Sequence, residues 1–355
     1  MTKRVWILGA GFSRSLGGPL MYELLSPLAE QRIRATFGRT YGDSLEHVFR
    51  LFAGGSNRWP DAEQFLETLD GAARGDRVAN EIVAVAKLIG TGRSAIPTSG
   101  RNDFERLLAT ARQTIAASVS VFLDGVTAES TRGKERWQPY RKWMRRLRGG
   151  DVIVSFNYDR VVELLAEEGE AGAHVVTSPM DEDEYSLAEI DGPRLYKLHG
   201  SVDWIRNGDE IRRELWSPDL LRRNDLAIAT PGDGKMELAK STFRYLWRKA
   251  EEALSAASEI HLIGFRFPPS DAHPRDRLLG AIAKNDQRDL NVHVVLGPQR
   301  ADDVHRVLAL LGGTIGCSAS WDPTSGSPQR ALFAHSLFAQ DFIPIDRPDR
   351  GVVSR

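Results

Sequence analysis

The chain has 355 residues, 41% hydrophobic and 27% charged, with a formal net charge of −1 at pH 7. This is the make-up of an ordinary globular protein with one large domain, or one domain carrying a sizeable insertion. It gives no general field for nucleic acid or an anionic membrane surface, and no apolar run is long enough to cross a bilayer.

Arg4–Gly9 is the first candidate strand, an almost unbroken apolar run of the kind covered on both faces. It follows the amino end too closely, and meets glycine too soon, to be a secretory signal, so a cytoplasmic protein is expected. Gly9-Ala10-Gly11-Phe12-Ser13 comes next. A strand ending in Gly-x-Gly before a helix lets backbone approach a pyrophosphate, with the helix amino end supplying N–H donors. The third glycine of the usual fingerprint is out of register: Arg14 stands there and Gly17-Gly18-Pro19 follows. A plain tight strand-to-helix turn is therefore an equal reading.

From about Ser26 to Gly150 no convincing strand occurs, but amphipathic helical patterns do. They fall at Ser44–Phe52, Asp61–Ala73, Val78–Ile89, Asp103–Asp124 and Gln138–Arg148. Residues 26–149 read as an all-helical insertion between the first two strands, with Gly90–Gly100 a loop inside it. Its apolar faces carry no chemistry and are expected to cover a cleft and supply subunit or partner contacts. Arg141, Lys142, Arg145, Arg146 and Arg148 near its end read as a solvated face or a protein contact, not a nucleic-acid site.

Beyond the insertion, strands and helices alternate. Strands are expected at Asp151–Phe156, Ala173–Thr177, Arg194–Leu198, Leu226–Thr230, Glu259–Gly264, Asn291–Gly297 and Thr314–Ala319, and helices at Val161–Glu168, Ser241–Ala257 and Ala301–Leu311. This order predicts an α/β fold: a doubly wound, Rossmann-like parallel sheet built from residues 1–25 and 150–345, with a loose tail at 346–355. The single cysteine, Cys317, excludes an internal disulfide and any multi-cysteine zinc site, and reads as a small packed residue. The eight histidines lack ligand spacing, so no bound metal is expected.

Ligands of open α/β sheets bind beyond the carboxyl ends of the strands, so polar residues there are the candidates. Asp151–Phe156 runs into Asn157-Tyr158-Asp159. Asn157 offers a donor and an acceptor, suited to ribose hydroxyls or a water, while Asp159 fits a helix N-cap equally well. Arg194–Leu198 ends in His199-Gly200-Ser201, where a histidine can serve as a general base or sit as a satisfied structural residue. Glu259–Gly264 leads into Phe265-Arg266-Phe267-Pro268-Pro269-Ser270-Asp271, a loop able to hold an adenosine.

Taken together and in this order, these segments resemble the sirtuin-like NAD+ hydrolases, particularly bacterial ones acting in antiviral defence. The pattern joins Gly9-Ala10-Gly11-Phe12-Ser13 and Gly18-Pro19 to Ser155-Phe156-Asn157-Tyr158-Asp159 and Lys197-Leu198-His199-Gly200-Ser201. Thr230-Pro231 with Lys235, a Leu246-Trp247 helix, Gly264 and Asp271 follow. The resemblance covers about residues 1–25 and 150–300 and implies a sirtuin-type sheet. It makes Asn157 and His199 the catalytic pair. Gly9, Ala10, Gly11, Phe12 and Ser13 become the nucleotide loop, Asp159 lies near the nicotinamide, and Gly264 and Asp271 belong to the NAD+ site. It further implies cleavage of NAD+, consumed as substrate, to nicotinamide and ADP-ribose, and a homo-oligomer or an ATPase or Argonaute-like partner that gates the reaction. Two departures stand out: Ser155 replaces a frequent threonine, and Arg266 replaces a frequent serine at the adenosine ribose. Deacylase relatives carry a four-cysteine zinc module that this chain cannot build, which favours water over an acyl-lysine as acceptor. A non-catalytic NAD+ or ADP-ribose sensor is the alternative of a different class.

Overall fold

Val5, Trp6, Ile7 and Leu8 are all buried, and alternate side chains enter two different cores. They form β1 (Arg4–Leu8), followed by the one-turn helix α1 (Ala10–Ser13). Then come α2 (Pro27–Phe37), α3 (Arg39–Gly54), α4 (Ala62–Ala73), α5 (Arg77–Thr91), α6 (Arg101–Ser120) and α7 (Gln138–Met144). Next are β2 (Val152–Ser155), α8 (Val161–Ala166), β3 (His174–Val175), β4 (Arg194–Lys197), β5 (Gly200–Asn207), β6 (Glu210–Arg213) and β7 (Leu226–Ile228). The chain continues through α9 (Arg244–Ser255), β8 (Glu259–Ile263), α10 (Ala272–Ala283), β9 (Asn291–Val295), α11 (Ala301–Ile315), β10 (Ala331–His335) and α12 (Ala339–Phe342). This computed structural model describes residues 3–54, 62–91, 101–167, 174–176, 192–208, 210–229, 238–268, 272–287, 289–298, 301–316 and 330–342. Most of the Gly90–Gly100 loop, Thr230-Pro231 with Lys235, Asp271, Cys317 and the 346–355 tail lie outside the described residues.

The main sheet has the order β10-β9-β8-β1-β2-β4-β3, with parallel pairing throughout. The order reverses at β1, which has β2 on one side and β8 on the other: this is the switch point of a doubly wound, α/β, Rossmann-like sheet. Val5 and Ile7 pack with α9, α10 and α11 on one face; Trp6 and Leu8 pack with α7 and α8 on the other. Residues 26–149 divide between two places. Helices α2 to α6 form a core of their own that also takes in Tyr158, Val202, Leu226 and Ile228. Trp137, Tyr140, Trp143 and Met144 instead join the Trp6 face of the sheet.

Two expected strands differ. Thr314 and Ile315 close α11, because Val307, Leu308, Leu311 and Ile315 continue one buried helical face and Gly316 (φ +64°) ends it. The edge strand of the sheet is instead β10. Leu226–Ile228 is a strand, but it pairs antiparallel with β5 in a separate sheet of order β6-β5-β7. Gly200 (φ +79°) turns the chain into that sheet; a Cβ there would lie 1.7 Å from the Ala227 carbonyl oxygen.

Across the Trp6 face, four rings share one register: Trp6, His261, His293 and Phe333. Successive centroids are 3.8, 4.8 and 4.9 Å apart with planes within 15°. Glu259 Oε1 lies 2.9 Å from His261 Nε2 and 3.5 Å from His293 Nε2, and His293 Nδ1 is 3.1 Å from His335 Nε2. Glu259, His261 and His293 are the one group among the described residues with atoms close enough for a metal ion. A ligated metal lies in the plane of each imidazole, and these stacked, nearly parallel planes do not converge on one ion. We read the group as a hydrogen-bonded stack.

Burial, helped by the neighbouring His261, pushes His293 down to about 3. The folded state therefore binds fewer protons than the unfolded chain between that value and the ordinary histidine range near 6.5. Stability should fall as pH drops through that window. His293→Phe should flatten the decline of melting temperature between neutral and mildly acid buffer. An unchanged slope in the variant would show that His293 does not carry it.

Candidate active site

Where β1 and β8 end side by side, their loops touch backbone to backbone. Gly9 N donates to the Ile263 carbonyl at 3.0 Å, and Gly11 N to the Gly264 carbonyl at 3.2 Å. A Cβ on Gly9 would stand 2.5 Å from Gly264 O, one on Gly11 2.6 Å from Gly264 Cα, and one on Gly264 2.4 Å from Gly11 Cα. The three glycines are thus required by the packing of the switch point itself. The same bare backbone is what a pyrophosphate needs for close approach.

Asn157, just past β2, is held against this turn. Its Nδ2 donates to Gly9 O at 3.0 Å and lies 3.3 Å from Ser13 Oγ, and its backbone N donates to Ser155 Oγ at 3.1 Å. The amide nitrogen is thereby committed within the protein, and a hydrogen bond to a ligand falls to Oδ1, an acceptor. Ser13 Oγ donates to Asp159 Oδ2 at 2.7 Å, while Asp159 Oδ1 accepts from Val161 N at 3.1 Å. Asp159 therefore both orients Ser13 beneath Asn157 and satisfies the start of α8. Burial pushes its carboxyl above the usual range, against the opposing pull of Lys197 and the bond from Ser13.

Lys197, the last residue of β4, is fully buried and locks the next layer. Its Nζ lies within 2.7 Å of Glu163 Oε1 and Ser201 Oγ and also donates to the Asp159 carbonyl. One ammonium thus ties the segment after β2, helix α8 and the segment after β4 together. His199 sits two residues on, 5% exposed, edge-on to Phe156 with ring centroids 4.8 Å apart. Its carbonyl accepts from Ala229 N at 2.9 Å, and Tyr158 Oη donates to the Ala229 carbonyl at 2.9 Å.

These pieces border one cavity of about 230 Å3 at the carboxyl edge of the sheet. Gly9, Ala10, Gly11, Asn157, Asp159, His199 and Gly264 all line it. Phe12 and Ser13 do not. Phe12 is a core residue, edge-on to Tyr140 and Trp143, and Ser13 lies buried against Asn157 and Asp159. Asp271 lies outside the described residues.

Other lining residues carried no motif in the sequence: Leu20, Met21 and Tyr22 ahead of α2, Glu63 at the start of α4, and Val119 in α6. Arg266 is the one cation among the described lining residues, held to Asp303 at 3.2 Å. Arg306 clamps the same loop, donating to the carbonyls of Arg266 at 2.6 Å and Phe267 at 3.0 Å. Phe267 needs that support, since at φ +50° it is the one non-glycine with positive φ among the described residues.

Residues 151–312 match the family model described as the SIR2-like domain. The chain carries a SIR2-like domain. The match starts one residue before β2 and runs into α11, so it holds Asn157, Asp159, His199 and Gly264. The Gly9–Ser13 turn and Glu63 precede it. SIR2-like domains bind NAD+ and belong to NAD+-utilising enzymes. A comparison with curated proteins finds no match. Among the described residues, no helix is long and apolar enough to cross a membrane.

Proposed function

We propose that the chain is an NAD+ glycohydrolase, releasing nicotinamide and ADP-ribose, with Asn157 and His199 at the catalytic centre. The observation that carries this reading is their convergence, with the Gly9–Gly11 turn, on one cavity at the switch point of a SIR2-like sheet. The pyrophosphate would lie on the glycine turn within reach of Arg266, and the nicotinamide ribose would face His199.

Cleavage of the ribose C1′–nitrogen bond sends its electron pair to the ring nitrogen, so nicotinamide leaves uncharged. Positive charge then builds on the ribose, and a site with fixed acceptors stabilises it. Asn157 Oδ1 accepts a hydrogen bond from a ribose hydroxyl or the attacking water and so aligns it. Water adds to C1′ and gives up a proton to His199 as general base. The balance is NAD+ plus water to nicotinamide, ADP-ribose and one proton.

Water is the acceptor in this reading because the chain's single cysteine cannot build the zinc module of the deacylase relatives. Action in antiviral defence, and gating by self-assembly or by an ATPase or Argonaute-like partner, follow from the motif resemblance. The deciding experiment supplies NAD+ with and without acetyl-lysine peptides and follows nicotinamide release. Hydrolysis gives equal release in both, with ADP-ribose as co-product. Release that depends on peptide and yields acetylated ADP-ribose would make the enzyme a deacylase.

A further inference from the structure

We propose that the site also takes NADP+, with Arg266 recognising the phosphate on the 2′ oxygen of the adenosine ribose. This rests on the NAD+ reading above and names the phosphorylated dinucleotide as a substrate. The cavity is lined in the order of the sheet: His199 follows β4, Asn157 follows β2, Gly9 and Gly11 follow β1, and Gly264 and Arg266 follow β8. With the nicotinamide ribose at His199 and the pyrophosphate on the glycine turn, the adenosine ribose falls one strand further along. Neighbouring strands lie about 4.8 Å apart, so that sugar reaches the loop after β8.

Arg266 is held there in a set direction. Asp303, in the first turn of α11, pairs through Oδ2 with its Nη1 at 3.2 Å, while Arg306 lies 3.6 Å from Oδ1. Arg306 also donates to the carbonyls of Arg266 and Phe267, at 2.6 and 3.0 Å, and so fixes the backbone that carries the Arg266 side chain. Steering by Asp303 orients the guanidinium without removing its charge, and its planar fork of N–H donors matches a phosphate. Dinucleotide sites that select NAD+ aim a carboxylate at the ribose 2′-hydroxyl, whereas an arginine accommodates a 2′-phosphate. In this loop the carboxylate stands behind the arginine: Arg266 lines the cavity and Asp303 does not.

The test is calorimetric titration of full-length His199→Ala protein, in which cleavage is slowed, with NAD+ and NADP+. NADP+ should bind about tenfold more tightly than NAD+, a difference of about 1.4 kcal/mol. Adding Arg266→Ser should abolish that preference and leave NAD+ affinity within about twofold. Arg266→Lys should keep only part of it, because a point charge lacks the fork. NADP+ no tighter than NAD+ on the His199→Ala protein overturns the assignment. So does an equal loss on both ligands with Arg266→Ser, which would set Arg266 on the pyrophosphate that they share.

Should Arg266→Ser fail to fold, seen as a collapsed unfolding midpoint, the wild-type chain answers without it. Adenosine 2′,5′-bisphosphate should displace ADP-ribose more effectively than 5′-AMP, from which it differs only by the 2′-phosphate. Equal displacement overturns the proposal. If NAD+, NADP+ and ADP-ribose all fail to bind, the NAD+ reading itself falls, and this inference with it.

Discussion

His199→Ala should lower NAD+ cleavage by about a hundredfold or more, the usual contribution of a positioned general base. The fold should survive, because main-chain hydrogen bonds anchor this segment. The His199 carbonyl accepts from Ala229, and Leu198 N donates to Ser155 O. The side chain itself meets the face of a cavity and the rings of Phe156 and Tyr158. ADP-ribose affinity and the unfolding midpoint are the controls, and both should stay near wild type. Full turnover in a folded His199→Ala protein would remove His199 from the chemistry. Asn157→Ala is a less clean test, since it also breaks the bonds to Gly9 O and Ser13 Oγ that shape the turn.

Lys197→Met should have the largest effect on stability, a loss of about 3–5 kcal/mol. Lys197 and Glu163 are both 1% exposed and pair at 2.7 Å. Removing the ammonium leaves Glu163 buried without its counter-charge and strips the Asp159 carbonyl and Ser201 Oγ of their donor. Burial already pushes the Glu163 carboxyl up, and Lys197 is the main group opposing that shift. The double change Lys197→Met with Glu163→Leu should recover most of the loss, because two apolar side chains need no pairing. Urea unfolding of the three proteins measures this. A single variant as stable as wild type, or a double variant no better than the single, would contradict the account of this pair.

The parallel sheet was legible because its strands are buried on both faces, so residues 5–8 and 152–154 are continuous apolar runs. β10 was not. It is a partly exposed edge strand whose Ala331 and Ala334 carry little strand preference. The β5–β6 hairpin has a signal in sequence, Gly208-Asp209 between strand-like runs: Asn207 pairs with Glu210, and Gly208 takes φ +66°. Helix α2 had one as well: the Ser26 side chain accepts from Ala29 N ahead of Pro27 at the first helical position.

At the site, Asn157, Asp159 and His199 could be found from sequence because each lies just past a strand, where the fold places ligands. Lys197 left a trace, a lysine inside the apolar run Leu195-Tyr196-Lys197-Leu198, and a buried lysine needs partners. Glu63 left none. A carboxylate in a helix's first turn is ordinary, and only the packing of α4 brings it to the cavity. Phe12 failed the other way: it keeps company with the nucleotide loop in sequence but turns into the core beside Tyr140.

The most direct measurement is a crystal structure of His199→Ala protein with NAD+, in which the lost base preserves the substrate. The account predicts intact NAD+ with its pyrophosphate on the Gly9–Gly11 turn, a ribose hydroxyl or water against Asn157 Oδ1, and the C1′–nitrogen bond facing position 199. NAD+ bound elsewhere, or bound here with the nicotinamide ribose turned away from Asn157 and position 199, would contradict it.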